Sequence, residues 1–401
     1  MEPETRIDHG LDWLLHPHTS EEFFTRYWEQ QPLRIQRGDL GYYADLMTGS
    51  DLERFIAESD LRYPALRLAK GGKFFGPEAY ARNLRYGDET FAAVPDLEQV
   101  AAEYRRGATV MLPAMHRHWT ALRSLCAELE NHLDHAAHAN VYLTPGNAAG
   151  FTPHYDVHEV FVLQISGAKR WTVYEPTTTL PHRSQPCTPN PARSLKVHST
   201  LELEPGDFLY LPRGYLHSTT TSATHSAHIT VGIGIYAWAD LLKEYLSAWI
   251  DSTEWRRALP PGFAHRQELE PTLLEGMRAA LEHLRRSVDP QKLLDTFTRR
   301  VRESHRGGTT PFRLDANVID AHSVLQVVEA SRYRLTMDGP NAVLEFAGQR
   351  HRLPIGVGKT LFAMTERASF RVSDLPGDLE PESKLGLVRY LHEIGFLSAT
   401  T

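Results

Sequence analysis

Two cysteines, Cys126 and Cys187, are all that this 401-residue chain contains. That count excludes a disulfide framework and argues against a Cys-rich structural zinc site. It fits a reducing compartment. No apolar run approaches the roughly 18 residues of a membrane-spanning helix, so no membrane span is expected. The opening, Met1-Glu2-Pro3-Glu4-Thr5-Arg6, is acidic and lacks the apolar stretch of a secretory leader. A cytoplasmic location is therefore expected. Excess positive charge is missing too. The formal charge of −7 excludes a globally basic nucleic-acid glove and leaves only local patches. Internal repeats and low-complexity tracts are also missing.

What is present is an ordinary globular balance, with 41 % hydrophobic and 23 % charged residues. The length suffices for two or three domains and a sizeable core. Histidine is frequent, at 21 residues, but many of these sit in polar segments where a solvated surface is the simplest reading.

The pattern changes along the chain. Thr19-Ser20-Glu21-Glu22 reads as a capping box ahead of Phe23, Phe24, Tyr27 and Trp28 on one helical face. Pro32-Leu33-Arg34-Ile35 reads as a short strand. Residues 41–135 read as short helical stretches broken by Gly- and Pro-containing loops such as Gly71-Gly72 and Gly76-Pro77. From about 138 the period becomes two. Strands are expected at Ala139–Thr144, Glu159–Ile165, Arg170–Glu175, Ser199–Leu203, Phe208–Leu211 and His228–Ile235, separated by turns rich in Pro, Gly, Asn and Asp. Such a series points to a closed or sandwich-like barrel. After Tyr236 the spacing is helical again: Trp238, Leu241, Leu242, Tyr245, Leu246, Trp249 and Ile250 share a face, and further helices are expected near 272–286 and 290–303. Residues 306–311 read as a linker. Beyond it, a helix over 317–330, strands near 331–337 and 341–347, and a helix near 382–394 would suit a small winged-helix-like domain. The expected division is 1–237, 238–306 and 307–401.

The chemistry concentrates in Phe151-Thr152-Pro153-His154-Tyr155-Asp156. On an extended strand, residues two apart point to the same side, so His154 and Asp156 could converge on one cation. Two histidines and one carboxylate suit non-haem Fe(II), leaving coordination positions open. His217 is the preferred third ligand, since it follows a strand and a Pro212-Arg213-Gly214 turn that could return it to the barrel mouth. His158 and His182 are rivals; a third ligand at His158 would require a cramped chelate. A 2-oxoglutarate co-substrate would need a cation for its distal carboxylate. Lys169, just past the Ser166-Gly167 turn, can serve, although a solvated hairpin lysine fits strand logic equally well.

Several segments then resemble one family. Asn140-Val141-Tyr142-Leu143-Thr144-Pro145, Pro153-His154-Tyr155-Asp156, Phe161-Val162-Leu163-Gln164-Ile165-Ser166-Gly167-Ala168-Lys169-Arg170-Trp171 and Leu211-Pro212-Arg213-Gly214-Tyr215-Leu216-His217 are similar, in order, to the core of the JmjC-domain ribosomal oxygenases. The resemblance implies a mainly β core, a double-stranded β-helix of cupin type, with flanking helices, a helical dimerisation segment and a winged-helix-like end. It implies Fe(II) on His154, Asp156 and His217, 2-oxoglutarate against Lys169, and dioxygen as the oxidant. Asn140 and Tyr142 match family positions near the co-substrate, and Thr230 joins them from the strand after His217. Without the resemblance, a strand-edge amide and a core tyrosine would be the preferred readings of Asn140 and Tyr142. The implied activity is hydroxylation of a protein side chain, an arginine or histidine of a ribosomal protein, by a homodimer.

Two other readings remain at this stage. One is a JmjC-type hydroxylase of another protein, a peptide or a natural-product precursor. The other is a cupin-like binding protein without catalysis, which the full set of candidate ligands disfavours. Residues 306–401 balance 11 Lys/Arg against 11 Asp/Glu, a poor phosphate binder, so direct nucleic-acid binding is not expected of them.

Overall fold

A computed structural model of the chain describes residues 10–188, 194–248, 253, 256–287, 289–304, 319–328, 333–346 and 349–399. They form two compact units, Met1–Ile235 and Tyr236–Thr401. Among the described residues no helix is long and apolar enough to cross a membrane.

The first unit begins with helices α1 (Leu11–Leu15) and α2 (Ser20–Arg26) and strand β1 (Leu33–Ile35). Thr19 caps α2 by accepting the Glu22 N–H at 3.1 Å, satisfying one of the free donors of a helix start. Helix α3 (Gly49–Glu58), strands β2 (Arg67–Lys70), β3 (Lys73–Phe74), β4 (Ala81–Tyr86) and β5 (Glu89–Pro95), helix α4 (Leu97–Arg105), strand β6 (Thr109–Leu112) and helix α5 (Thr120–Leu133) follow. The remaining strands are β7 (Ala136–Thr144), β8 (Glu159–Gly167), β9 (Lys169–Tyr174), β10 (Val197–Leu203), β11 (Phe208–Leu211), β12 (Leu216–Thr220) and β13 (Ser226–Gly234). An eight-stranded sheet runs β1-β11-β8-β13-β7-β6-β2-β3, and a three-stranded sheet runs β10-β9-β12. The strand pairs in both are antiparallel.

The two-residue alternation explains how this unit packs. On β8 and β11, Phe161, Leu163, Phe208 and Tyr210 turn to one side, where they join Leu11, Leu14, Leu15, Phe23, Leu122, Leu125 and Leu129 of the helices in a common core. Their strand neighbours Val160, Val162, Leu209 and Leu211 turn to the other side and pack with Trp171, Val173 and Leu203 of the small sheet. Large sheet, small sheet and the apolar floor between them make the expected barrel. Strand β7 obeys the same rule. Ala137, Ala139 and Val141 face the helices, and the alternate residues His138, Asn140, Tyr142 and Thr144 therefore face the barrel interior.

The reading of residues 41–135 as helices and loops is corrected: five strands lie there, and β6 extends the main sheet beside β7. These strands are short, and several show no clean alternation, so periodicity alone could not separate them from loops.

The turn between β8 and β9 depends on one glycine. Gly167 has φ +59°, and a β-carbon there would lie 1.8 Å from the His225 carbonyl oxygen. A side chain would therefore meet backbone that cannot step aside, in addition to a left-handed conformation. Gly167→Ala is expected to cost at least about 1–3 kcal/mol, the scale of backbone strain alone. Urea unfolding followed by tryptophan fluorescence reads this, and an unshifted midpoint would count against it.

In the second unit, helices α6 (Trp238–Ala248), α7 (Glu270–Ser287) and α8 (Pro290–Ser304) match the expected helical stretches. Trp249, Ile250 and the 306–311 linker lie outside the described residues. Strands β14 (Val324–Val327), β15 (Tyr333–Asp338), β16 (Asn341–Phe346) and β17 (Gln349–Pro354), helix α9 (Gly358–Thr365), strand β18 (Phe370–Arg371), helix α10 (Pro381–Glu393) and strand β19 (Leu397–Ala399) complete the chain. Leu325, Leu344, Leu361, Val388, Leu391 and Phe396 centre a separate core there. The expected helix over 317–330 is corrected. Residues 317 and 318 and 329 and 330 lie outside the described residues, and Val324-Leu325-Gln326-Val327 is a strand between β18 and β19. Its β-branched residues suit a half-buried pleat better than a helix. Strand β17 and helix α9 were not anticipated.

Candidate active site

Residues 145–158 join β7 to β8 outside regular strand, apart from isolated bridges. The expectation that His154 and Asp156 share one extended strand is thus corrected. Gly150 and Pro153 interrupt it, and Pro153 has no N–H to donate. The segment is held instead by a two-way bridge to β12: the His154 N–H donates to His217 O at 3.2 Å, and the His217 N–H to His154 O at 2.8 Å. The Gly214 N–H donates to Asp156 O at 3.2 Å. His217 itself does not return on a hairpin. Strand β11 belongs to the large sheet and β12 to the small one. The chain crosses between them at Pro212–Tyr215, where Gly214 takes φ +93°.

This crossing brings three donors together. One ligand atom each from His154, Asp156 and His217 lie within 4.8 Å of one another. The His154 and His217 rings are 4.5 Å apart, and His217 Nε2 lies 3.7 Å from Asp156 Oδ2. Both rings are oriented from behind: His154 Nδ1 lies 2.9 Å from Thr152 O, and His217 Nδ1 lies 3.3 Å from Tyr215 O. A carbonyl can only accept, so each Nδ1 carries a proton, and Nε2 is the ring atom left to face a metal. Burial also pushes the His217 ring below its usual range, which keeps it neutral. Two imidazoles and a carboxylate form a donor set that suits a divalent transition metal.

The rivals do not belong to this group. The His158 ring stands edge-on to His138, 5.1 Å away. His182 hydrogen-bonds Ser184 and Gln185. Neither joins the three-donor group among the described residues.

Lys169 is not a solvated hairpin residue. It opens β9 pointing inward and is 3 % exposed. Its Nζ donates to Thr144 Oγ1 at 3.0 Å, and Thr144 is bonded in turn to Thr109 at 3.1 Å. Among the described residues no ion pair neutralises it. Burial pushes its pKa down to about 7. An ammonium without a counter-charge in such a place is costly, and an anionic ligand would relieve that cost. Two further polar atoms in the same wall are buried with no hydrogen-bond partner: Trp171 Nε1 and His228 Nδ1. Trp171 stands 5.7 Å from both the His217 and His228 rings, and His228 is stacked on Tyr142 at 5.0 Å. The interior therefore offers a cation and unsatisfied polar groups around one space, a setting that fits a small carboxylate.

Asn140, Tyr142 and Thr230 share this inner face. Thr230 pairs with Asn140 across the ladder and His228 with Tyr142. Asn140 Oδ1 accepts the Ala114 N–H at 2.9 Å. The Tyr142 phenol is pushed up by burial and by Asp156, against a hydrogen bond with Asn140. The structural reading of Asn140 and the site reading are thus compatible, because the anchored Oδ1 belongs to a side chain that lines the interior.

His138 was missed. It lies on the inner face of β7, and burial pushes its pKa down to about 4. Gly232 makes room for it, since a β-carbon there would meet His138 Cε1 at 2.4 Å and His158 Cε1 at 2.9 Å. The available signal was the His138-Asn140-Tyr142-Thr144 alternation, which continues the polar face one step upstream of the expected strand.

Residues 115–241 match the JmjC domain. Over 258 residues the chain is 34 % identical to ribosomal oxygenase 1 of Gallus gallus, covering 62 % of this chain and 41 % of that protein. It is 31 % identical over 280 residues to the bifunctional lysine-specific demethylase and histidyl-hydroxylase NO66 of Culex quinquefasciatus, covering 65 % and 42 %. The chain spans about two fifths of the length of these curated relatives. Among solved structures, E. coli ycfD matches with a TM-score of 0.54 at 18 % identity, over 95 % of this chain and 98 % of that one. YcfD, a ribosomal oxygenase from Escherichia coli, in complex with cobalt and 2-oxoglutarate, matches with a TM-score of 0.52 at 17 % identity over the same shares. At such identities the structural likeness is one of fold, and it agrees with the JmjC/cupin barrel.

Proposed function

We propose that this chain, whose residues 115–241 match the JmjC domain, is a member of the ribosomal-oxygenase family and an Fe(II)- and 2-oxoglutarate-dependent oxygenase that hydroxylates a protein side chain. The observation that carries the reading is the convergence of His154, Asp156 and His217 beside a barrel interior that holds Lys169 without a counter-charge. In this reading the three residues hold the iron. Lys169 takes the distal carboxylate of 2-oxoglutarate, and Asn140, Tyr142 and Thr230 line its site. When bound, iron with 2-oxoglutarate and dioxygen supplies the oxidation of a C–H bond, with the co-substrate leaving as succinate and CO2.

The chain's own residues do the rest. Thr152 O and Tyr215 O fix the ring orientations of His154 and His217, so that their Nε2 atoms would hold the metal together with Asp156 without rearrangement. Val160, Val162, Val173, Leu209 and Leu211 close the barrel floor, which excludes water from the co-substrate end and strengthens the Lys169 charge pair. Phe151 stands 5.7 Å from His154 and 5.6 Å from Phe74. Phe74 is half exposed, so this aromatic wall leads from the donors to the surface, where a side chain could enter.

The substrate proposed is an arginine or histidine of a ribosomal protein, the class that the names of the relatives suggest. The iron-loaded chain, incubated with 2-oxoglutarate and ribosomal proteins, should add the mass of one oxygen atom to one peptide, located by tandem mass spectrometry. Loss of a methyl group instead would make it a demethylase. Turnover without any modified ribosomal peptide would move the substrate to another protein, a peptide or a natural-product precursor.

The proposed setting is cytoplasmic, with residues 307–401 acting as a winged-helix-like, protein-contacting domain that does not bind nucleic acid directly. Helices 238–306 are proposed to form a homodimer. Trp238, Leu242 and Leu246 recur every four residues on α6 and are 82 %, 59 % and 49 % exposed, and Leu274, Met277 and Leu281 of α7 are similarly open. Stripes of this kind usually meet a partner. Light scattering should give a dimer mass at micromolar concentration. Leu242→Glu with Leu246→Glu should give a monomer that still binds metal. A monomer in the unsubstituted chain would remove the dimer and leave the iron site untouched.

A further inference from the structure

Two glutamates and an arginine outside the candidate donor set meet between the two arms that carry it. Glu159 opens β8, just after Asp156, and is fully buried. Arg213 stands in the corner between β11 and β12, just before His217, and is 8 % exposed. Arg213 Nη1 donates to Glu159 Oε1 at 2.6 Å, and the Arg213 backbone N–H donates to Glu159 Oε2 at 3.3 Å. The same Nη1 also donates to Glu29 of the N-terminal segment. Tyr210, itself fully buried, donates its hydroxyl to Glu159 Oε2 at 2.6 Å and accepts the Glu29 N–H at 2.8 Å. Burial pushes the Glu159 carboxyl up, opposed by the Tyr210 hydrogen bond and the Arg213 charge. Three distant stretches of chain are thus tied at one point.

Stability alone is a poor reason for such a group. Desolvation of buried charges offsets much of their attraction, and apolar residues of the same volume would often stabilise as well. What a planar guanidinium between carboxylates adds is a fixed distance and orientation. That geometry matters here because, next to the donors, the arms beyond the clamp are joined by the Gly214-to-Asp156 hydrogen bond and the His154–His217 bridge. Further backbone bonds, among them those from Gly150 to Thr219 and from Thr221 to Ala148, lie on the far side of His154 and His217.

We infer that Glu159, Arg213 and Glu29 form a positioning clamp that sets the spacing of the Asp156 and His217 arms before metal binds, so that the N-terminal segment helps determine metal affinity. This rests on the proposed reading of His154, Asp156 and His217 as metal ligands. None of the clamp residues belongs to the donor group, so their effect is exerted through the backbone that carries it.

The test uses the full chain stripped of metal, with Glu29→Gln, Glu159→Gln, Arg213→Lys and Arg213→Met. Three quantities are read: Co(II) affinity and its visible absorption bands, the melting temperature of the metal-free protein, and amide hydrogen exchange at Gly214 and His217. Glu29 is the least buried member, so Glu29→Gln should leave melting nearly unchanged. It should weaken Co(II) binding on the order of 10- to 100-fold, the range for groups that orient ligands, and speed exchange at both amides. Arg213→Met should do more, with altered cobalt bands. Arg213→Lys should recover part of the affinity, because the charge remains and the fork is lost. If Arg213→Met fails to fold, Glu29→Gln and Arg213→Lys decide. Lower melting temperatures with unchanged Co(II) affinity and bands would make the cluster merely structural and overturn the inference. No Co(II) binding by the unsubstituted chain would remove the ligand assignment and the clamp together, whereas equal binding by all variants would remove the clamp alone.

Discussion

Alanine in place of His154, Asp156 or His217, one at a time, is expected to abolish 2-oxoglutarate turnover while the protein remains folded. Each change removes one of three protein donors in the group, and a three-ligand site has no spare. Loss of a residue that only orients a ligand typically costs about 10- to 100-fold, so loss of the ligand itself should exceed that. The fold should survive because the contacts joining the arms are backbone hydrogen bonds and the apolar floor lies on other strands. Succinate release measures turnover, and near-ultraviolet circular dichroism checks the fold. His182→Ala, away from the group, should keep most activity, and His158→Ala, packed on His138, should be far milder than any of the three. Full turnover in one of the alanine variants would show that its ligand is misassigned.

The parts of this site that were legible in the sequence are those written in short-range pattern. The period-two strands around 139–175 and 208–235 could be read because each has one face on the helices and one in the barrel. The His154–Asp156 spacing was visible as well, but its geometry was not. It depends on an isolated bridge from the segment between β7 and β8 to His217 on β12 of the small sheet, and no local period encodes such a pairing. The Glu159–Arg213 contact joins residues 54 apart, so each reads alone as an ordinary surface charge. Lys169 was ambiguous for a related reason. Its burial is set by Thr144 and by the walls of a closed barrel, whereas a hairpin lysine of the same sequence in an open sheet would be solvated. Strand β14 was misread because Val324, Leu325, Val327 and Val328 satisfy helical spacing as well as a short apolar strand. Pairing with β18 and β19 decides the matter.

Lys169→Ala should weaken 2-oxoglutarate binding severely while leaving metal binding in place. If Lys169 pairs with the distal carboxylate, its removal strands a buried anion. Loss of one partner of a desolvated charge pair costs about 2–5 kcal/mol, on the order of 30- to several-thousand-fold in affinity. The pKa of Lys169 adds a second signature. Burial lowers it from 10.5 to about 7 in the ligand-free protein. Unfolding restores the higher value, so from pH 7 to 10.5 the unfolded chain binds more protons, and stability rises with pH across that window. Anion binding favours the charged amine, so above pH 7 it must take up a proton. Affinity should then fall about tenfold per pH unit, and the binding enthalpy should vary with the ionisation enthalpy of the buffer. Thr144, which accepts from Nζ, does not titrate in this range, and His228, kept neutral by burial and by Lys169 itself, adds no proton of its own. Lys169→Arg separates this effect from any titration at the metal ligands. Arginine stays charged, so that variant should bind with intermediate affinity and lose the pH slope. The measurement is calorimetry on anaerobic, metal-loaded protein in two buffers, beside metal content for each variant. Unchanged affinity in Lys169→Ala would sink the co-substrate assignment and make Arg170 the next residue to test, and no 2-oxoglutarate binding by the unsubstituted protein would favour a cupin-like binding protein without catalysis.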